Sequence, residues 1–211
     1  MAGSDKFWDK VAAKYAKSPV ADEATYQKKL AETQSFFTPN MRILEFGCGT
    51  GTTAVHHAPY VQHIDAIDIS ENMLEIGRGK ASEAGIENIS FTRGTLQEFK
   101  AETASLDAVL GLNVIHLLPD RQAVIAEVAR ILKPGGLFVN STVCLGGSYL
   151  RFIRLAVPLV KAFGLMPDVF VLTEAELASE ITDAGFSIER QWHHGKKGIA
   201  VFMVARRRLG S

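Results

Sequence analysis

The chain has 211 residues, 47% of them hydrophobic and 22% charged, a composition that fits one globular domain with a substantial core and argues against a second full domain. Its 23 basic and 23 acidic residues cancel, which removes the basic excess expected of a protein whose main partner is nucleic acid. No uninterrupted stretch approaches the ~20 apolar residues needed to span a bilayer, no N-terminal apolar run resembles a signal peptide, and two cysteines, Cys48 and Cys144, are too few for a disulfide framework, so the expected setting is a reducing cytoplasm.

In chain order, Phe7, Trp8, Val11, Ala12 and Tyr15, then Tyr26, Leu30 and Phe37, fall at helical spacing, with Ser18-Pro19 between the two segments and Thr38-Pro39-Asn40 ending the second. Ile43 to Gly51 begins as a buried strand and ends in three glycines at alternate positions, where the chain must turn sharply into a short helix, Thr52 to Ala58, closed by Pro59. A second strand, His63 to Ile69, carries Asp68 at its end; Ser70 caps a helix that runs to about Ala84 before Gly85, and Ile89 to Arg93 is a third strand. Leu106 to Leu112 is almost continuously apolar, as strands covered on both faces are. Asp120 opens a helix with Val124, Ile125, Val128, Ile131 and Leu132 on one face; Lys133-Pro134-Gly135-Gly136 ends it, and Leu137 to Val143 is the fifth strand. This βαβ alternation specifies an α/β fold, doubly wound, with a mostly parallel sheet and helices on both faces.

The pattern then changes. An apolar helix with interspersed Arg151, Arg154 and Lys161 is expected from Tyr149 to Phe163, Thr173 to Glu176 forms a capping box for a helix ending at Gly185, and Phe186 to Trp192 with Gly198 to Ala205 make an antiparallel C-terminal hairpin. Residues 1–211 are thus expected to form a single domain: a helical cap over 5–40, a core over 41–143, a lid or substrate insertion over 144–172, and a helix with hairpin over 173–205. Arg206, Arg207 and Arg208 read as a solvated tail and not as a phosphate contact.

Gly47, Gly49 and Gly51 spell G-x-G-x-G, whereas the dinucleotide fingerprint G-x-G-x-x-G would put its third glycine where Thr52 stands. Asp68, 21 residues after Gly47, lies at a strand end where a carboxylate can accept hydrogen bonds from both hydroxyls of an adenosine ribose. The adjacent pairs His56-His57 and His193-His194 diverge on helix or strand and, with no carboxylate spacing to complete a site, predict no metal.

Four stretches in order, Glu45-Phe-Gly-Cys-Gly-Thr-Gly51, Asp68-Ile-Ser70 with Met73-Leu74, Leu106-Asp-Ala-Val, and Ala129-Arg-Ile-Leu-Lys-Pro-Gly-Gly136, together resemble a class I S-adenosylmethionine-dependent methyltransferase of the small-molecule type. The resemblance covers roughly residues 41 to 142 and implies a seven-stranded sheet whose last strand is antiparallel. It implies that Gly47, Cys48, Gly49 and Gly51 cradle the cofactor, that Glu45 orients that loop and its cationic ligand, that Asp68 holds the ribose, and that Ile69 and Met73 pack on the adenine. Where the family often carries an acid after the third strand this chain has Thr95, so backbone groups near Thr95 and Leu96 are the expected substitutes. Asn113, after the fourth strand, falls beside the cofactor's methionine portion.

The sulfonium is an activated leaving group, so methyl transfer needs orientation and exclusion of water more than it needs a base. His116 and Tyr15 are the candidates for a catalytic role, His116 as a base over the acceptor, with Tyr15 or Tyr26 reaching it from the N-terminal helices. The expected partner is a small-molecule methyl acceptor, apolar or amphipathic, with no nucleic acid and no stable membrane insertion; the basic residues of the insertion leave peripheral lipid contact open, and monomer and homodimer are both compatible with the sequence. Protein or nucleic-acid methylation is disfavoured because Asn113-Val-Ile-His116 stands where a Pro-Pro-aromatic tetrapeptide would be required. The alternatives are a nicotinamide-dependent oxidoreductase and a non-catalytic cofactor-binding sensor or scaffold.

Overall fold

The computed structural model describes residues 4–146, 169–195 and 198–209. The apolar helix expected from Tyr149 to Phe163, and with it most of the 144–172 insertion, lies outside the described residues.

Two N-terminal helices, α1 (Ser4–Lys17) and α2 (Glu23–Gln34), precede the sheet. The helix α2 starts where Asp22 accepts the Thr25 N–H, a side-chain cap that satisfies a donor the helix itself cannot pair. The chain then runs through β1 (Arg42–Phe46), α3 (Thr52–His57), β2 (His63–Asp68), α4 (Glu71–Glu83), β3 (Ile89–Arg93), β4 (Leu106–Leu112), α5 (Arg121–Ile131), β5 (Leu132–Val143), α6 (Glu174–Asp183), β6 (Phe186–His194) and β7 (Ala200–Arg207). The strands form one seven-stranded sheet in the order β3-β2-β1-β4-β5-β7-β6. Neighbours from β3 to β5 are parallel, while β7 runs antiparallel to both β5 and β6.

Alternate strand residues feed two separate cores, as the period of two demands. Leu44, Phe46, Val109, Phe138 and Met203 pack with Val124 and Val128 of α5 and Leu177 and Ile181 of α6. Ile43, Leu110, Val139 and Phe202 pack with Ala54 of α3, Leu74 of α4 and the ring of Trp192 on the other face. Glu45 and Ser141 therefore project from the same face as Ile43 and Val139, the face that α2 covers.

Two local readings change. The Lys-Pro-Gly-Gly stretch does not separate helix from strand: β5 begins directly at Leu132, and its register with β4 shifts between Leu106 opposite Leu132 and Ala108 opposite Leu137. The extra residues form a bulge, which Gly135 accommodates at φ +80° and Lys133 fastens through a 2.6 Å ion pair with Asp107. The arginines are not a solvated tail either. Arg206 and Arg207 belong to β7; Arg206 pairs with Glu189 through two bonds and donates to the Gly135 carbonyl, and Arg207 donates to the Leu132 carbonyl.

Candidate active site

β1 ends at Phe46 and turns through Gly47 to Gly51 into α3, with all three glycines at positive φ. A Cβ on Gly49 would meet nothing within 4 Å, so that backbone faces open space. A Cβ on Gly51 would lie 2.7 Å from the Phe91 ring and 3.2 Å from the Gly77 Cα. Gly51 is thus a packing glycine that lets α3 sit against β3 and α4, and it does not line the cavity, contrary to its expected place among the cofactor contacts.

Asp68, 8% exposed at the end of β2, reaches across to this loop. Its Oδ2 accepts the Gly49 N–H at 2.9 Å and its Oδ1 the Ser70 N–H at 2.9 Å, which fixes the carboxylate while leaving each oxygen a further lone pair. Burial raises its pKa, and the N–H donors of Ser70, Gly49 and Ile69 oppose that rise. Ser70 caps α4 through the Met73 N–H and donates to Asp9 Oδ1 at 2.6 Å, tying α1 down beside the loop. Glu45, 3% exposed, lines the same cavity with an Oε2 that has no hydrogen-bond partner. Burial first, then the nearby Asp68 charge, pushes its carboxyl up to about 8.

These groups border a cavity of about 580 Å³. Cys48, Ile69, Met73, Thr95, Leu96 and Asn113 line it together with Gly47, as do Tyr15 and Tyr26 from the N-terminal helices. The Thr95 N–H donates to Glu98 Oε2 at 2.8 Å and is therefore already engaged. Tyr15 is 53% exposed, at the mouth of the site. Asn113 adopts the left-handed region at φ +58°, which asparagine tolerates, and its N–H donates to the Ser141 carbonyl at 2.7 Å. His116 is not in the cavity wall: its Nδ1 is buried without a partner, its carbonyl accepts the Phe170 N–H, and burial holds its imidazole down to about 4. The histidine pairs do diverge. His57 is buried against Phe37 while His56 meets Tyr26, and His193 pairs with Glu174 while His194 meets Ser141.

Several groups escape a sequence reading. Lys80 bridges the Thr50 and Thr52 hydroxyls at 2.8 and 2.7 Å beside the loop, and Trp8, Leu117, Leu118 and Val124 supply apolar wall. Among the described residues no group of three or more His, Cys, Asp or Glu is placed to hold a metal ion.

An orphaned carboxylate oxygen facing a cavity fits a cationic ligand, and a fixed second carboxylate beside an open glycine fits a hydroxyl-bearing one. Fold and site thus define a Rossmann-like protein whose cavity lies at the carboxyl ends of parallel strands, the edge at which such sheets bind ligands. Residues 43–136 match the methyltransferase domain family. The chain is 35% identical over 98 residues to the uncharacterized methyltransferase YcgJ of Bacillus subtilis, covering 46% of this chain and 39% of that protein. It is 34% identical over 106 residues to the ubiquinone biosynthesis O-methyltransferase of Hahella chejuensis, covering 50% and 44%. The chain therefore spans less than half the length of these curated relatives. The solved YcgJ structure superposes at a TM-score of 0.71 with 19% identity, over 87% of this chain and 100% of that one. A geranyl diphosphate C-methyltransferase from Streptomyces coelicolor, solved with S-adenosyl-L-homocysteine, superposes at 0.71 with 15% identity, over 88% and 79%. The likeness to methyltransferases is thus carried by residues 43–136, and the solved structures share the fold.

Proposed function

We propose that this protein transfers a methyl group from S-adenosylmethionine to a small-molecule acceptor with a substantial apolar surface. The observation that carries this reading is one cavity in which Gly49, Asp68 and the unpaired Glu45 share walls with Trp8, Tyr15, Tyr26, Leu117 and Leu118. The first set fits a cofactor and the second an apolar acceptor. S-adenosylmethionine, when bound, supplies a methyl group already activated on a sulfonium.

In this reading Asp68 holds the ribose hydroxyls and Glu45 neutralises the cationic end of the cofactor. Gly47, Cys48 and Gly49 cradle it, Ile69, Met73 and Leu96 pack on its adenine, and Asn113 lies beside its methionine portion. The N-terminal helices exclude water and orient the acceptor, and His116, outside the cavity wall, is a structural residue. The ubiquinone biosynthesis O-methyltransferase among the similar sequences supports a small-molecule acceptor. The two thiols, one buried and one partly buried, are consistent with a reducing cytoplasm.

Calorimetric titration with S-adenosylhomocysteine tests the cofactor assignment: the wild type binds and Asp68→Ala binds far more weakly. A wild type that does not bind, or an alanine variant that binds equally, sinks it. Labelled cofactor offered with thiols, phenols, amines, quinols and lipid precursors then identifies the acceptor; if the cofactor binds and every class fails, the sensor reading replaces this one.

A further inference from the structure

We propose that Lys29, Ser141, His194 and Asn113 form the acceptor end of the site and select an acceptor that carries an ionisable oxygen, held there as its anion. This rests on the methyltransferase reading above.

Lys29 sits on α2, half-buried against the sheet, and its Nζ donates to Ser141 Oγ at 2.9 Å. The same hydroxyl lies 3.0 Å from His194 Nε2 and 3.4 Å from Asn113 Oδ1. A hydroxyl has one proton and two lone pairs, so Ser141, fully buried, accepts from Lys29 and is the junction of the group. The cluster stands at the carboxyl ends of β4, β5 and β6, the edge at which ligands of such sheets bind. It adjoins the cavity at Asn113, which lines the wall, and at Tyr26, one turn before Lys29 on the same helix, which also lines it; Lys29, Ser141 and His194 are not themselves lining residues.

The charge balance points to the ligand. A partly desolvated ammonium is ordinarily matched by a carboxylate. Among the described residues none forms an ion pair with Lys29: Asp22 acts on it only through space, and the Asp22 oxygens are engaged by the Thr25 N–H and hydroxyl. His194 brings no negative charge, and burial followed by the Lys29 charge keeps its imidazole neutral, down to about 4. The site thus holds a cation that donates to a serine hydroxyl, which in turn meets a neutral imidazole and an amide. An anionic oxygen supplies the missing counter-charge, and an apolar body behind it matches the cavity wall. Lys29 touches the acceptor in this arrangement, while Ser141, His194 and Asn113 are positioning residues. The titratable groups that act on Lys29 are Asp22, the cap residue of its own helix, and His194 from β6. Burial holds the Lys29 ammonium down to about 8, so the anion is retained below that pH and released above it.

The test uses para-nitrophenol, whose ionised form is coloured, added to the full-length protein at a pH below its own ionisation midpoint. The expected result is that the wild type binds the phenolate, releases one proton to the buffer and develops the phenolate absorption. Lys29→Met should lose the absorption and roughly tenfold or more of the affinity, Lys29→Arg should keep both, and Ser141→Ala should weaken both. Lys29→Gln, which keeps a donor for Ser141 without the charge, replaces the methionine variant if circular dichroism shows that one unfolded. Binding of the neutral phenol, equal binding by the uncharged variants, or no binding by a wild type that still binds S-adenosylhomocysteine overturns the proposal. Failure of the wild type to bind S-adenosylhomocysteine refutes the methyltransferase reading instead and leaves the dye result readable by itself.

Discussion

At the cofactor end of the cavity the polar groups lie close together in the chain, from Glu45 through the glycine loop to Asp68, and their geometry is made by one strand-loop-helix unit and the strand paired to it. Beside the cavity wall Lys29, Asn113, Ser141 and His194 come from four separate stretches of chain, and Lys29 joins the other three only because α2 docks across the sheet. That docking has its own anchors. Trp192 Nε1 donates to Glu32 Oε2 at 2.8 Å, Lys28 lies 4.0 Å over the Trp192 ring, and Gln34 donates to the His56 carbonyl. The difference implies that the donor end can tolerate a loosened cap while the acceptor end cannot.

The largest expected effect separates fold from chemistry inside the glycine loop. Gly51→Val should cost about 4 kcal/mol, because a β-branched residue at φ +68° is strained and its Cβ meets Phe91; Gly49→Ala, with open space, should cost about 1 kcal/mol. Urea unfolding midpoints measure both, and equal losses would abolish the distinction between packing and cradle glycines.

Next, Asp68→Ala should weaken S-adenosylhomocysteine binding by roughly 100-fold, about 2.7 kcal/mol, since it removes the proposed ribose acceptor and frees the Gly49 and Ser70 N–H groups. The same change should affect para-nitrophenol binding far less, and comparable loss of both ligands would show that the two ends are one unit.

Glu45 gives a pH signature. Its folded pKa of about 8 exceeds the ordinary 4.5, so between those values the native state keeps a proton that the unfolded state has lost. Stability of the ligand-free protein should therefore fall as pH rises through this window, at up to ~1.4 kcal/mol per pH unit from this group. Glu45→Gln should flatten that slope in urea titrations across the window, and an unchanged slope would remove Glu45 as its source.

The smallest expected effect is the most diagnostic of the comparison. Trp192→Phe removes the bond to Glu32 and should cost about 1 kcal/mol of stability. Because it loosens α2, it should reduce para-nitrophenol binding more than S-adenosylhomocysteine binding; the reverse order would mean that α2 serves the cofactor first.

What could be read in advance follows the same division. Backbone geometry imposed within a few residues leaves a trace in residue type, so the strands Ile89–Arg93 and Leu106–Leu112, the Ser70 and Thr173 caps and the turn at the glycines were all legible. Gly51 was legible as a turn but not as a packing residue, because its reason is the distant Phe91 ring. The bulge in β5 and the pinning of Arg206 and Arg207 were hidden for a similar reason, since each depends on a register with another strand.

By itself, then, the sequence determined the order of elements, the parallel core and the glycine turn, because hydrophobic period, caps and glycines act over short range. Tertiary structure alone decided that Lys29, a residue unremarkable on an amphipathic helix, meets Ser141 beside His194 and Asn113, with no ion-paired carboxylate among the described residues. That encounter is set by how α2 packs on the sheet, and no local pattern of residues encodes it.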